Sequence, residues 1–329
     1  IVAGNDPDQR IAYLHYFNHK SQLLKQNVVS ISGVPKGEPV MSGRLEIDDE
    51  HLSLLTTGLE VKPKLSQQFP ASLIETNLTW DDLILNDKTL SEVKELETWL
   101  EYNSVLMNDW NMKSKIKPGY RVMFYGPPGT GKTLTASLLG KYTKKDVYRI
   151  DLSMVVSKYI GETEKNLSSL FDKAQNKDWI LFFDEADSIF GKRTNVRDAH
   201  DKYANQEVSY LLQRIEAFPG LVILASNFKN NIDTAFTRRF QSMVEFETPT
   251  HKERLRLWEN NLPKNIGLEE GFTIDSISKK YAITGANIVN IVQYACLKTI
   301  SNSFDYIPKM YLLEGIKKEY LKEGKTINV

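Results

Sequence analysis

Residues 126–133 read Gly-Pro-Pro-Gly-Thr-Gly-Lys-Thr and fit the spacing G-x-x-x-x-G-K-[ST]. A short apolar run at residues 122–125 precedes this stretch, and a helix-favouring run at 134–142 follows it. Glycines let successive backbone N–H groups converge on phosphate oxygens, and the N-terminus of the following helix adds the positive end of its dipole. The spacing therefore predicts a strand, a phosphate-binding loop and a helix. A Gly/Pro turn before a helix is the alternative.

Two side chains of residues 126–133, here termed the cradle, have predicted roles at a phosphate. Lys132 supplies a mobile positive charge for β- and γ-phosphates, and the Thr133 hydroxyl is a ligand for the Mg²⁺ that accompanies them. The cradle therefore predicts a site for a nucleotide with its metal ion.

An acidic pair, Asp184 and Glu185, directly follows the apolar run at residues 179–183. A carboxylate at the end of a strand beside the cradle can hold Mg²⁺, which is the predicted role of Asp184. Glu185 can accept a proton from an attacking water molecule. The alternative is a strand end capped by an aspartate before a helix.

The fold class follows from apolar runs that show no alternation with polar residues. Such strands are buried on both faces, which is typical of a parallel sheet covered by helices. After residue 249 the pattern is helical. We therefore predict an α/β fold with a parallel sheet flanked by helices, followed by a small helical domain. The predicted strands are residues 122–125, 147–150, 179–183, 221–225 and 243–246.

The chain is predicted to divide into three units. Residues 1–78 form an N-terminal accessory module, for which a winged-helix-like unit and an adaptor arm are both open interpretations. Residues 79–249 form the α/β domain, and residues 250–329 form the helical domain. A length of 329 residues exceeds what a single core usually supports.

Composition excludes several function classes. The 42 basic and 42 acidic residues cancel, which argues against a protein that binds nucleic acid by neutralising phosphates. One cysteine excludes a disulfide framework within the chain. The longest apolar runs are far shorter than the ~20 residues of a membrane helix. We expect a cytoplasmic protein with neither a nucleic-acid nor a membrane partner.

Several motifs together resemble those of the AAA+ ATPases, and within them the AAA clade. The resemblance covers residues 80–329 and implies a P-loop NTPase fold with the helical domain as a lid, ATP as the nucleotide and Mg²⁺ as its metal. The further matching stretches are the segment near adenine at 80–84, the first pore loop at 158–164, a strand ending in a polar sensor at 224–227, paired arginine fingers at 233–240 and the start of a lid helix at 285–287.

The same resemblance implies which residues line the nucleotide site. The lid helix carries Ala286 where other branches of the AAA+ proteins have an arginine, so nucleotide sensing is expected to depend on arginines from a neighbouring subunit. The implied nucleotide-binding residues are Asp82, Leu83, Pro128, Gly129, Thr130, Gly131, Lys132, Thr133, Leu134, Gly285 and Ala286.

Catalytic roles are implied for Lys132, Glu185, Asn227, Arg238 and Arg239. The Asn227 amide would orient the attacking water or touch the γ-phosphate, unless it only ends a strand in a turn. Adjacent side chains point apart, so the two arginines cannot easily serve one local carboxylate. The family places both at the γ-phosphate of the neighbouring subunit, and a solvated basic pair is the alternative. Arginines acting in trans imply a homo-oligomer, and the family implies a hexameric ring.

Tyr159 and Ile160 are the implied substrate contacts. An aromatic side chain exposed in a flexible loop is unfavourable in water unless it binds a partner. In a ring these two residues would face the central pore and contact an extended polypeptide. The alternative is that Tyr159 packs on its own domain. The resemblance thus implies a motor that remodels protein substrates.

A narrower resemblance concerns residues 198–216 and 313–325, which are similar to the AAA+ ATPase of bacterial extracellular contractile injection systems. It implies a role in assembly or cargo loading of these phage-tail-like particles, with their components or cargo as partners. A general AAA unfoldase or disaggregase is the alternative, and a nucleic-acid motor or loader is disfavoured by the zero net charge.

Overall fold

The structure is a computed structural model. It describes residues 6–17, 21–25, 28–34, 37–39, 42–59, 61–66, 69–152, 162–187, 199–227 and 238–325. The predicted substrate contacts Tyr159 and Ile160 lie outside the described residues. Residues 233–237 of the predicted arginine-finger stretch also lie outside them.

Six strands form one sheet in the order β3-β5-β6-β7-β4-β8. All neighbouring pairs in it are parallel except β3 with β5, which is antiparallel. The predicted α/β fold with a mainly parallel sheet is therefore confirmed. The strands are β1 (Val29–Ser32), β2 (Arg44–Ile47), β3 (Ala71–Leu73), β4 (Tyr120–Tyr125), β5 (Val147–Ile150), β6 (Ile180–Phe183), β7 (Leu221–Ser226), β8 (Ser242–Glu245), β9 (Gly267–Leu268) and β10 (Tyr306–Ile307).

Helices cover both faces of the sheet. Described α-helices are α1 (Pro7–Tyr13), α2 (Gln22–Lys25), α3 (Asp49–Thr57), α4 (Asp87–Asn108), α5 (Lys132–Thr143), α6 (Glu162–Asn176), α7 (Ala199–Ala217), α8 (His251–Asn261), α9 (Ile274–Lys280), α10 (Gly285–Ser301) and α11 (Lys309–Lys322). None of these, within the described ranges, combines the length and apolar composition needed to cross a bilayer.

Alternate residues of the central strands pack into two different cores, which explains why the apolar runs in the sequence are unbroken. Every residue of β6 and β7 is buried. Leu181 and Phe183 join a core that includes residues of α6 and α7, whereas Ile180 and Phe182 join a second core that includes residues of α4 and α5. Because both faces of each strand are covered, their side chains are apolar except for Ser226, the last residue of β7.

Helices α8 to α11 form a third core of their own. Its centre is Trp258, which is fully buried, together with Ile288 and Leu312. Ile84, from the segment that leads into the α/β unit, packs into the same core. The boundaries of the three predicted units stay a prediction.

Residues before 79 contribute to the sheet as well as to a separate ribbon. Strands β1 and β2 pair antiparallel, whereas β3 pairs with β5 at the edge of the main sheet. The end of the predicted accessory module is therefore part of the sheet. A strand of three residues after Pro70 is too short to give a periodic signal. The winged-helix-like interpretation stays a prediction.

An ion cluster joins α3 and the turn before it to α6. Lys173 Nζ lies 3.0 Å from both Asp48 Oδ1 and Glu50 Oε1, and Lys177 Nζ lies 2.8 Å from Glu50 Oε2. Burial lowers the pKa of Lys173, but hydrogen bonds to Glu50 and Asp48 raise it by more. Glu50 is buried, so its two lysine partners offset the cost of removing the carboxylate from water.

Phe69 anchors the segment before β3. Its ring packs edge-on against Tyr148 and Trp179, with centroids 5.5 and 6.0 Å away. We expect Phe69→Ala to lower the free energy of unfolding by about 3 kcal/mol, because a buried aromatic is lost from a packed core. The matched control, Leu65→Ala, removes a half-exposed side chain and should change it by less than about 0.5 kcal/mol. Denaturant unfolding measures both, and equal effects would contradict the anchoring role.

Candidate functional site

The cradle has backbone conformations that favour glycine. Gly126, Gly129 and Gly131 have φ angles of 141°, 75° and 103°. A Cβ on Gly126 would lie 2.0 Å from the Phe246 carbonyl oxygen, so a side chain there would collide with the chain beyond β8. Gly131 directly precedes α5, so Lys132 and Thr133 are the first two residues of the helix.

A cavity of about 580 Å³ lies between the cradle, the segment before α4 and the start of α10. Residues from six separate parts of the chain line this cavity, and they include most of the site residues predicted from the sequence. The predicted residues that line it are Asp82, Leu83, Pro128, Gly129, Thr130, Gly131, Lys132, Thr133, Leu134, Asp184, Glu185, Asn227, Gly285 and Ala286.

Lys132 is a buried amine held by neutral oxygens. Its Nζ donates to the carbonyl oxygens of Gly126 at 2.6 Å and Pro127 at 2.9 Å, and to Asn227 Oδ1 at 3.3 Å. Burial lowers the pKa of Lys132, and the nearby carboxylates Asp184 and Asp187 partly offset this. An ammonium in such surroundings gains from a multiply charged anion placed beside it.

The acidic pair and Asn227 lie at the ends of neighbouring strands. Phe183 of β6 pairs with Leu224 of β7, which brings the residues after both strands to one edge of the sheet. The backbone N–H of Glu185 donates to Asp184 Oδ1 at 3.0 Å. Glu185 has a φ of 50°, a left-handed conformation that costs a non-glycine residue of order 1–3 kcal/mol. The surrounding structure thus holds Glu185 in a strained position at the cavity.

Asp82 lines the cavity, and its carboxylate accepts two hydrogen bonds from Thr79. The oxygen Oδ2 accepts from the backbone N–H of Thr79 at 2.8 Å and from its hydroxyl at 2.9 Å. The hydrogen bond from the Thr79 backbone, followed by that from its hydroxyl, lowers the pKa of Asp82. Leu83 packs beside the cradle, since a Cβ on Gly131 would lie 2.7 Å from Leu83 Cδ1.

The start of α10 contacts the cradle directly. The backbone N–H of Ala286 donates to the Gly129 carbonyl oxygen at 3.2 Å. A Cβ on Gly129 would lie 2.7 Å from Thr284 Oγ1 and 2.8 Å from Ala286 Cβ. The helical domain therefore closes one side of the cavity through a backbone contact that leaves no space for a side chain at Gly129.

A model of the ATPase family associated with various cellular activities, AAA, matches residues 122–248. This stretch contains the cradle, the acidic pair and Asn227, together with β5 to β8 and most of β4. Residues 122–248 form an AAA ATPase domain.

Curated proteins are similar over longer stretches. The chain is 33% identical over 195 residues to the ATPase family gene 2 protein of Schizosaccharomyces pombe, covering 57% of this chain and 24% of that protein. It is 31% identical over 268 residues to a putative cell division cycle ATPase of Plasmodium falciparum, covering 78% and 21%. It is 28% identical over 286 residues to the proteasome-activating nucleotidase of Methanocaldococcus jannaschii, covering 83% and 64%. The chain therefore spans about a quarter or less of two of these relatives.

The two predicted catalytic arginines do not line the cavity. Arg238 and Arg239 are exposed in a turn, and neither is among the described residues that line the cavity. Arg239 Nη1 forms an ion pair with Glu216 of its own chain. The buried Arg121 holds the same region, because its backbone N–H and its Nε both donate to Gln241 Oε1.

Several residues beyond the AAA domain line the cavity and were not predicted from the sequence. Asn260 and Asn261 from α8 line the cavity, and Asn260 Nδ2 donates to the Asp81 carbonyl oxygen at 3.0 Å. Glu253, Leu257 and Val289 line it as well. No local pattern identifies these residues, because their position depends on how the helical domain packs against the segment before α4.

Gly129→Ala tests the contact between the AAA domain and α10. Its side chain would collide with Thr284 and Ala286, so we expect ADP to bind at least tenfold more weakly by calorimetry. The control is Gly267→Ala, whose Cβ would meet nothing within 4 Å and which should bind ADP as the wild type does. Equal affinity of the two variants would show that the close approach is not needed for binding.

Proposed function

We propose that the protein binds and hydrolyses ATP and uses the released free energy to remodel other proteins. The observation that carries the proposal is the meeting of Lys132, Asp184, Glu185 and Asn227 along one cavity. The AAA match and the similarity to a proteasome-activating nucleotidase support the nucleotide chemistry.

Each of these side chains has a role in the proposed hydrolysis. A water oxygen attacks the γ-phosphorus, the bond to the ADP oxygen breaks, and Glu185 accepts the proton from the water. The Asn227 amide orients that water. The Lys132 ammonium stabilises the negative charge on the phosphate oxygens, and its burial strengthens this interaction.

Thr133 and Asp184 are proposed to hold Mg²⁺. Their hydroxyl and carboxylate are hard oxygen donors, which is the ligand type that Mg²⁺ prefers, and both residues line the cavity. The ion would supply positive charge to the phosphates when bound.

The two arginines make a homo-oligomer part of the proposal. Arg238 is exposed and is not among the described residues that line the cavity of its own chain, which supports a role at a phosphate bound to a second subunit. Arg239 would first have to leave its ion pair with Glu216, which is exposed and therefore weak. A hexameric ring is the arrangement that the AAA resemblance implies.

A protein substrate is proposed from the resemblance and from the relatives. The pore-loop roles of Tyr159 and Ile160 rest on the sequence, since both residues lie outside the described ranges. The similarity to the proteasome-activating nucleotidase favours a general AAA remodelling role. The link to contractile injection systems stays a prediction of the sequence, and so does a cytoplasmic location.

Glu185→Gln separates binding from hydrolysis. The amide cannot accept the proton but keeps the shape of the side chain, so we expect hydrolysis to fall by about 10²–10⁴-fold. ATP affinity should stay within a few-fold, because Lys132 and Asp184 are unchanged. Phosphate release and calorimetry measure the two quantities, with Lys132→Ala as the control that loses binding. Turnover within a few-fold of the wild type would show that Glu185 is not the base.

Mixing two inactive variants tests the role of Arg238 in trans. Arg238→Ala subunits keep an intact cavity, and Lys132→Ala subunits keep an intact arginine. Mixed assemblies should therefore recover part of the ATP hydrolysis that each variant lacks alone. Labelled subunits establish that the two variants co-assemble, and co-assembly without recovery would remove the arginine from the proposed site.

A further inference from the structure

Glu319 of α11 is a buried carboxylate in the helical domain, 5% exposed. Its Oε2 accepts from Asn287 Nδ2 at 2.9 Å and from Asn290 Nδ2 at 3.4 Å. Its Oε1 accepts from Lys322 Nζ at 2.6 Å. Burial raises the pKa of Glu319, but the hydrogen bonds from Lys322, Asn287 and Asn290 lower it by more. The carboxylate is therefore ionised at neutral pH and acts as an acceptor only.

An acceptor at this point fixes how the Asn287 amide is oriented. Its NH₂ group must face Glu319, so its Oδ1 faces the other way, towards Thr284. There Oδ1 accepts from the Thr284 backbone N–H at 3.0 Å and from the Thr284 hydroxyl at 2.6 Å. Glu319 thus determines which atom of Asn287 meets the residue that caps α10.

Thr284 carries this constraint to the cavity. It caps α10, and the next two residues, Gly285 and Ala286, line the cavity. The Ala286 N–H donates to the Gly129 carbonyl oxygen, and Thr284 Oγ1 lies where a side chain on Gly129 would be. Both the Ala286–Gly129 hydrogen bond and the approach of Thr284 to Gly129 are close contacts. A small rotation of the start of α10 therefore either breaks the hydrogen bond or produces a collision.

We propose that Glu319 is a positioning residue for the nucleotide. Through Asn287 and Thr284 it holds the start of α10 against the cradle, and so couples the last described helix of the chain to nucleotide affinity. The proposal rests on the proposed function, since it assumes that the cavity binds a nucleotide. The competing explanation is that the buried carboxylate only stabilises the helical domain.

Glu319→Gln tests the proposal with little change in shape. The glutamine has one acceptor oxygen for three donors, and its own NH₂ opposes them, so the Asn287 amide loses its fixed orientation. We expect the amides of residues 284–288 to exchange hydrogen faster in the nucleotide-free protein. We also expect ADP to bind about tenfold more weakly by calorimetry, the size of one charged hydrogen bond.

Lys322→Met is the matched control. It removes the other partner of Glu319 and leaves both asparagine contacts in place, and Lys322 itself is mostly exposed. Removal of the lysine removes one cause that lowers the pKa of Glu319, so all variants are compared at pH 8, which favours the ionised carboxylate. This variant should lower the melting temperature at most, with ADP affinity and exchange near the wild type. Equal losses of affinity in both variants, in parallel with melting temperature, would overturn the proposal.

Asn287→Ala removes the link without touching Glu319, and serves also if Glu319→Gln does not fold. It should itself speed exchange and weaken ADP binding, and adding Glu319→Gln to it should weaken binding little further. Additive losses, or unchanged exchange or affinity in Glu319→Gln, would overturn the proposal. A wild type that binds no ADP would overturn the proposed function instead. The exchange data would then decide alone whether Glu319 holds the start of α10.

Discussion

Strands that are buried on both faces can offer polar groups only where they end. In this chain the parallel strands β4, β6 and β7 present their carboxyl ends at one edge of the sheet, and the cradle, the acidic pair and Asn227 follow these three ends. The chemistry of the candidate site is therefore a consequence of sheet topology. A different strand order would distribute the same residues over separate parts of the surface.

The second requirement is a close approach of two backbones. The Ala286 N–H reaches the Gly129 carbonyl oxygen because Gly129 carries no side chain that would collide with Thr284 and Ala286. The cavity exists between the α/β unit and the helical domain, so its size depends on their relative position. The link from Glu319 through Asn287 to Thr284 ties that position to the packing of α11.

The sequence predicted what local patterns can encode. Unbroken apolar runs identified β4 to β8, and the glycine spacing identified the cradle and its flanking strand and helix. Asp184 and Glu185 were predicted because they directly follow an apolar run, and Asn227 because the stretch at 224–227 resembles a strand that ends in a polar sensor. These features depend on neighbouring residues in the chain, which is the information that a pattern contains.

Features that depend on distant contacts were missed. Strand β3 is defined by its pairing with β5, and Asn260 reaches the cavity only because α8 packs against the segment before α4. The pairing of Arg239 with Glu216 and that of Glu319 with Asn287 join residues far apart in sequence. Each is fixed by tertiary packing, for which a single sequence gives no periodic signal.

Strand β3 also has a consequence for any shortened form of the chain. A fragment that begins at residue 79 would leave the backbone N–H and C=O groups of β5 unpaired along one side. The removal of Phe69 would at the same time uncover the rings of Tyr148 and Trp179. An unpaired edge beside exposed aromatic surface is a template for pairing with other chains. Self-association of such a fragment would then reflect an opened sheet edge and not the assembly of the intact protein.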